Sequence, residues 1–488
     1  MKTIRACIFP VLFFLMLRIL FLTSLPIVND ESMYLHWGND FITFWSNPSM
    51  PLSLQGKQAL TALTLGIAQT MPIDPLVAGR LASIVCSLIG LWAFIRVATK
   101  VLHNTYAVFA TLLLSSSPLL LFFDRLALPD SIVAASYMCA LYLWLLLTEK
   151  PTLKMSILLG ITIAIGWWYK STALLIIPSI ILSSIVYMVH NHKHNLTRYI
   201  LYTCVSLLTA FTGSLALMYT IFSNRIVPLS QTGHVFTLTQ LLTIPWSIWL
   251  RNVGITLQML CVFSSPFAFL FGILFLFKKK LTITQCIIFV WAIVPIMIEI
   301  FLAHIYNSRY MIIAIAPSIL VFAIGLERIK QWKRTSQLIA LSTSIILSVL
   351  LIAQPLTFYR ITAVLPQVHR DLTQYVAGWS SGWGVQEASH FLQKEIGLRP
   401  AIIFVRNDSG NPEDGMYVYF SKTKHIKVLP ITYINQVIAS TPRGTEIASY
   451  FVSRGNQLAG IESRLTELVR FTKPLDTEYV GIYKLKMQ

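Results

Sequence analysis

Asp30 and Glu31 stand side by side just past the first hydrophobic run, where a chain would leave the hydrocarbon of a membrane. Ionisable groups at such a boundary are costly to desolvate and often mark chemistry. The loop that follows, residues 26–58, also carries His36, Asp40, Gln55 and Lys57. Further on, Asp124-Arg125 and Pro129-Asp130 are wedged between two apolar runs, and Lys170 follows Gly166-Trp-Trp-Tyr. Asn224, Arg225, His234 and Arg251 flank a Trp-rich loop, and the stretch from His304 to Arg309-Tyr310 ends the series. Carboxylates gathered with Arg and Lys where water is scarce can supply a base and a clamp for a phosphate leaving group.

Each residue also has a plainer reading. Asp30 and Glu31 could be solvated loop residues, and Lys57 could snorkel from an interfacial helix. Arg125 and Asp130 could pair with each other near the membrane. Lys170 could be a polar hinge, and Arg309 with Tyr310 an interfacial belt. His36, His234 and His304 read as satisfied interfacial residues rather than metal ligands.

The elements that must position these groups are set by composition. Of 488 residues, 55% are hydrophobic and only 12% charged, and the mean hydropathy is +0.67, which marks a polytopic membrane protein. A spanning helix needs roughly 20 apolar residues. About eleven such segments fall near residues 7–25, 80–99, 105–123, 131–148, 153–168, 171–189, 199–222, 253–277, 282–303, 311–326 and 337–354, while 59–70 is too short to span and reads as interfacial. With a cytoplasmic amino terminus, the inner loops collect Lys and Arg, including Lys100, Lys150, Lys154 and Arg328, against only Glu149 and Glu327. Eleven spans then put the tail outside, the first segment reads as an uncleaved anchor, and the site residues above share one outer face. Much of the +18 net charge is topological, so nucleic-acid binding is a poor account of it.

The tail from Pro355 differs from the rest. Short apolar runs (Ala401–Val405, Met416–Phe420, Ile426–Ile431, Tyr479–Leu485) alternate with helix-like stretches such as Val385–Glu395, the pattern of a small α/β domain. Gly378-Trp-Ser-Ser-Gly-Trp-Gly384 joins the tail to the membrane region, either as a linker with interfacial anchors or as a loop that closes over an acceptor. The plan is thus a transmembrane catalytic domain over residues 1–354 with its first outer loop at 26–58, an interfacial linker over 355–384 and an extracytoplasmic α/β domain over 385–488. All six cysteines lie in or beside apolar segments, which speaks against a disulfide framework or a thiolate zinc site. Asp-x-Asp, phosphate-loop, GxSxG and Glu-His metal signatures are absent, and the Asn195-Leu-Thr197 sequon falls in a loop assigned to the cytoplasm.

In order along the chain, Asp30-Glu31 with Tyr34, Gly56-Lys57, Arg80-Leu-Ala-Ser, Arg125-x-x-x-Pro129-Asp130, Gly166-x-x-x-Lys170 and Arg309-Tyr310 before a span with Pro317 resemble the GT-C membrane glycosyltransferases. The likeness covers residues 1–330 and is greatest to the branch of protein O-mannosyltransferases and the lipid A aminoarabinose transferase. Gln58-Ala59 stand where that family commonly has a proline pair. The resemblance implies a GT-C-like α-helical membrane fold. It also implies transfer of a sugar from a polyprenyl phosphate carrier to a protein, lipid or glycan acceptor at the outer face of the cell membrane, with inversion. On this likeness Asp30 is the general base and Glu31 shares that role or orients the acceptor. Lys57, Arg125, Lys170, Arg309 and Tyr310 hold the donor phosphate, and Tyr34 and Asp130 contact substrate. No dedicated metal or cofactor cluster is visible in the sequence, and metal dependence stays open, since Asp30, Glu31 and a histidine could bind a divalent cation loosely. The competing class is a transporter or flippase of lipid-linked glycans, but no internal repeat is visible and the charges cluster at one face instead of the midplane.

Overall fold

A computed structural model describes residues 8–43, 53–54, 57–190, 196–222, 233–263, 265–276, 280–329, 334–362, 370–436, 447–455, 457–458, 460–476 and 478–486. The chain separates into two compact units. One comprises Met1–Leu20, Ser49–Thr61 and Arg80–Leu351, the other Phe21–Pro48, Ala62–Gly79 and Ile352–Gln488. The second unit therefore groups most of the 26–58 segment with the tail, a division that no composition shift announces.

The first unit is helical. Pro75–Val101, Asp130–Glu149, Ser171–His190, Ile283–Leu302 and Ser308–Glu327 are each long and apolar enough to cross a membrane, which makes the chain an integral membrane protein. Among the described residues the count rises from five to seven if two bent helix pairs each make one span, against the eleven segments expected. The difference lies in interruptions. Asn104–Ser115 and Pro118–Asp124 are set at 57° because the chain turns at Ser116-Ser117, where Pro118 cannot donate to the preceding turn. Ile8–Ile19, Leu153–Tyr169, Ala59–Gln69 and Gln337–Ala353 are apolar but shorter. The Ile312–Glu327 helix is apolar all round and buried from Ile312 to Leu326, as expected of a core helix. A Cβ on Gly325 would overlap the Gly272 carbonyl, so the two backbones touch there without side chains between them.

In the second unit a five-stranded sheet runs in the order Ile426–Pro430, Ala401–Val405, Ala448–Arg454, Tyr479–Leu485, Leu465–Thr472. Ala401–Val405 pairs in parallel with both neighbours and is buried throughout, and the last two pairings are antiparallel. Ile402, Phe404, Phe451, Tyr483 and Leu485 form the core of one face. The Val385–Ile396 helix buries Val385, Ala388, Ser389, Leu392 and Ile396, an i, i+3, i+4 stripe, and its Glu387 accepts from Gly384 N at 2.8 Å. Met416–Phe420, an apolar run that suggested a strand, is instead helical within Glu413–Phe420. Glu413 and Asp414 in the first turn suit a helix amino terminus.

Candidate functional site

Asp30 lies on a helix, Asn29–Thr43, and not on an open loop as the sequence suggested. It is half-buried in the first turn, while Glu31 is fully buried. The Glu31 carboxylate accepts from Val28 N at 3.1 Å, the back-bonding half of a capping box. Tyr34 is buried edge-on to Trp37. His36 holds Asp414 Oδ1 through Nδ1 at 2.5 Å, stacks on Tyr417 at 4.1 Å, and faces Asp40 through Nε2 at 3.5 Å. Burial raises the Asp40 carboxyl, with His36 opposing and Asp414 adding to the effect. Thus the Asn29–Thr43 helix packs along the Glu413–Phe420 helix of the same unit, and a Cβ on Gly38 or Gly66 would overlap backbone where Ala62–Gln69 crosses it.

In the first unit, the Arg125 region is a nest of buried guanidinium groups. Arg18 donates through Nε and Nη2 to Asp124 Oδ2 at 3.0 and 2.7 Å and through Nη1 to Ser115 O at 2.8 Å, with Phe14 under its plane at 3.3 Å. Arg80 and Arg125 are also buried. Burial, with Arg80 and Arg18 nearby, lowers the Arg125 guanidinium to about 9. Arg18 and Arg80 thus both act on Arg125, and Asp124 is paired with Arg18. Beside them is a small cavity bounded by Phe14, Arg18, Leu91, Leu120, Asp124 and Met138.

Asp130 begins the Asp130–Glu149 helix and is buried between two cations. Lys170 Nζ donates at 2.6 Å and Arg309 Nη2 at 3.1 Å. The expected Arg125–Asp130 pairing is therefore replaced, because Lys170 and Arg309, at the ends of other helices, reach the carboxylate instead. Lys170 also lies 5.3 Å above the Tyr310 ring. Lys170 and Asp130 were separate candidates in the sequence and are one cluster in the fold, joined by Arg309 and Tyr310. Nearby is Glu299, which accepts from Asn307 N–H and feels the Lys170 charge, and whose Oε1 has no hydrogen-bond partner among the described residues.

Sequence reasoning missed Arg18, Asp124 as its partner, and Glu299. Arg18 and Glu299 are single charges in apolar runs and Asp124 adjoins Arg125, so only the pairing in the fold identifies them. Gln55, Gly56, Asn224 and Arg225 lie outside the described residues, as does the Lys57 side chain, whose backbone pairs with Leu54. Among the described residues no group of three or more His, Cys, Asp or Glu is arranged to hold a metal ion, and Glu31 and His36 have the partners given above.

Residues 61–219 match the model of the dolichyl-phosphate-mannose-protein mannosyltransferase family. No curated protein matches the sequence. Among solved structures the fold is similar to ArnT from Cupriavidus metallidurans bound to undecaprenyl phosphate, with a TM-score of 0.61 at 12% identity over 98% of this chain and 97% of that one. It is also similar to the oligosaccharyltransferase of Archaeoglobus fulgidus, in a complex with Zn and sulfate, with a TM-score of 0.51 at 15% identity over 87% of this chain and 62% of that one. The same archaeal enzyme tethered to an acceptor peptide containing the NVT sequon aligns with a TM-score of 0.50 at 12% identity, over 93% of this chain and 69% of that one.

Proposed function

We propose that this chain, whose fold is that of the GT-C membrane glycosyltransferases, moves a sugar from a polyprenyl-phosphate-linked donor to an acceptor hydroxyl at the outer face of the cell membrane. The observation that carries the donor half is the set of buried guanidinium groups of Arg18, Arg80 and Arg125, of which Arg18 is paired with Asp124, a site that an incoming phosphate would suit. The solved ArnT structure with undecaprenyl phosphate supports the same class of donor.

In the proposed reaction the acceptor oxygen bonds to the anomeric carbon as the bond from that carbon to the phosphate oxygen breaks. The electron pair leaves with the phosphate, and the hydroxyl proton passes to Asp30. A single displacement of this kind inverts the anomeric centre. Arg125, Lys57, Lys170, Arg309 and Tyr310 hold the phosphate, Asp130 orients Lys170 and Arg309, and Tyr34 lines the substrate site. The amino terminus is assigned to the cytoplasm and the α/β domain to the outside.

Membrane vesicles offered labelled polyprenyl-phosphate-linked hexoses and pentoses test this, with lipid and protein products extracted separately. Transfer by the wild-type protein that is lost in Asp30→Asn, with the variant folded and still binding donor, is the expected result. No transfer from any donor, with solute uptake by the purified protein instead, would sink the proposal.

A further inference from the structure

Two loops of the tail grip Ile27 and Asn29, just before Asp30, and all of these contacts lie within the second unit. From one side, Asn411 N donates to Asn29 Oδ1 at 2.9 Å and Asn411 Nδ2 to Ile27 O at 2.9 Å. From the other, Asn29 N donates to Ser380 O at 3.0 Å. Side chains are excluded at both contacts, since a Cβ on Gly410 would overlap the Asn29 amide and one on Gly382 the Ile27 carbonyl. The loops are themselves fixed. The buried Lys473 ammonium donates to Gly378 O, Trp379 O and Ser381 O at 3.2, 2.8 and 2.7 Å. Arg454 lies 4.4 Å above the Trp379 ring, donates to Asn411 O at 3.0 Å and binds Glu413 Oε2 at 2.9 Å.

So much hydrogen bonding on an irregular segment is more than a helix start needs, because Glu31 already caps the Val28 amide. We infer that Asn29 and Asn411 are positioning residues for the reaction, with the tail domain setting the place of Asp30 through the segment it holds. This rests on Asp30 being the general base. A group displaced by about an ångström from the reacting proton can cost on the order of 10²-fold in rate, which gives such a clamp its value.

The test uses the full chain in vesicles with polyprenyl-phosphate-linked sugar as donor, and Asp30→Asn as a control. Asn29→Ala and Asn411→Ala are expected to lower kcat about tenfold to a hundredfold, with the donor KM and the thermal unfolding temperature close to wild type. Asn29→Asp keeps the Oδ1 acceptor and is expected to restore kcat. It should also move the acid limb of the pH profile upward, since a carboxylate beside Asp30 disfavours its ionisation. Wild-type kcat in both alanine variants, alongside an inactive Asp30→Asn, would overturn the positioning role and leave the base intact. A loss of kcat matched by a loss of folded protein in Asn29→Ala and Asn29→Asp alike would overturn it as merely structural. Full turnover in Asp30→Asn would overturn the base assignment, and the inference with it. Should Asn411→Ala fail to accumulate, Asn29→Ala carries the comparison, because it leaves the sheet domain unaltered.

Discussion

Asp30 and Asp130 both sit in the first turn of a helix, yet the two units hold them by different means. Asp130 is sealed among apolar helices and has two cations drawn from 40 and 179 residues away. Asp30 is half-buried, and what fixes its surroundings is a set of neutral amide and carbonyl contacts to Ile27 and Asn29. A charge deep in an apolar bundle must be matched by charge, because leaving it unmatched is costly. A charge at the rim of an α/β domain can be aimed through the backbone that carries it. The comparison says that the first unit is built to hold charge still and the second to present it.

Four substitutions bear on that contrast. Asp30→Asn is expected to lower sugar transfer by ~10²- to 10⁴-fold with the fold unchanged, the range for loss of a general base; turnover within a factor of two of wild type would place Asp30 among structural residues. Asp130→Ala strands Lys170 and Arg309 and is expected to destabilise the protein by about 3–5 kcal/mol, read as thermal unfolding in detergent, with partial recovery in the double variant Asp130→Ala, Lys170→Met. No loss of stability would show that the cluster is not a structural ion pair. Arg125→Ala is expected to weaken binding of undecaprenyl phosphate by about 1.5–3 kcal/mol, with stability held or raised, because one of three crowded cations is gone. Unchanged binding would remove Arg125 from the donor site. Glu31→Ala is expected to cost about 1 kcal/mol of stability through the lost cap and to leave kcat near wild type. A collapse of kcat equal to that of Asp30→Asn would instead give the two acids one shared role.

The class of protein was legible because composition is a sum, and 55% hydrophobic residues leave little else to build. The ordered motifs around Asp30, Arg125, Lys170 and Arg309 also pointed to the GT-C fold. What the sequence hid was the pairing. Nothing local links Arg18 to Asp124, 106 residues apart, and a lone Arg in an apolar run looks like an anchor residue. Asp130 looked matched to Arg125 because they are near in sequence, whereas Lys170, just after Leu153–Tyr169, and Arg309, at the start of Ser308–Glu327, reach it in the fold. Apolar runs likewise do not show where a helix bends, so the break at Ser116-Ser117 makes a bent pair of one expected span. Nor does composition tell that Ile27 and Asn29 are held by Asn411, since each contact joins a side-chain amide to a backbone group more than 380 residues away in sequence.

The distance in sequence between Asp130 and Arg309 also has a consequence for biogenesis. A ribosome adds on the order of 5–20 residues per second, so the 179 residues between them take roughly ten to forty seconds to make. During that interval the Asp130 carboxylate enters the bilayer with Lys170 as its sole counter-ion from this pair, and the guanidinium that completes the cluster arrives later with the Ser308–Glu327 helix. Nascent chains that stop before this helix should therefore be those that the membrane quality-control machinery recognises and clears.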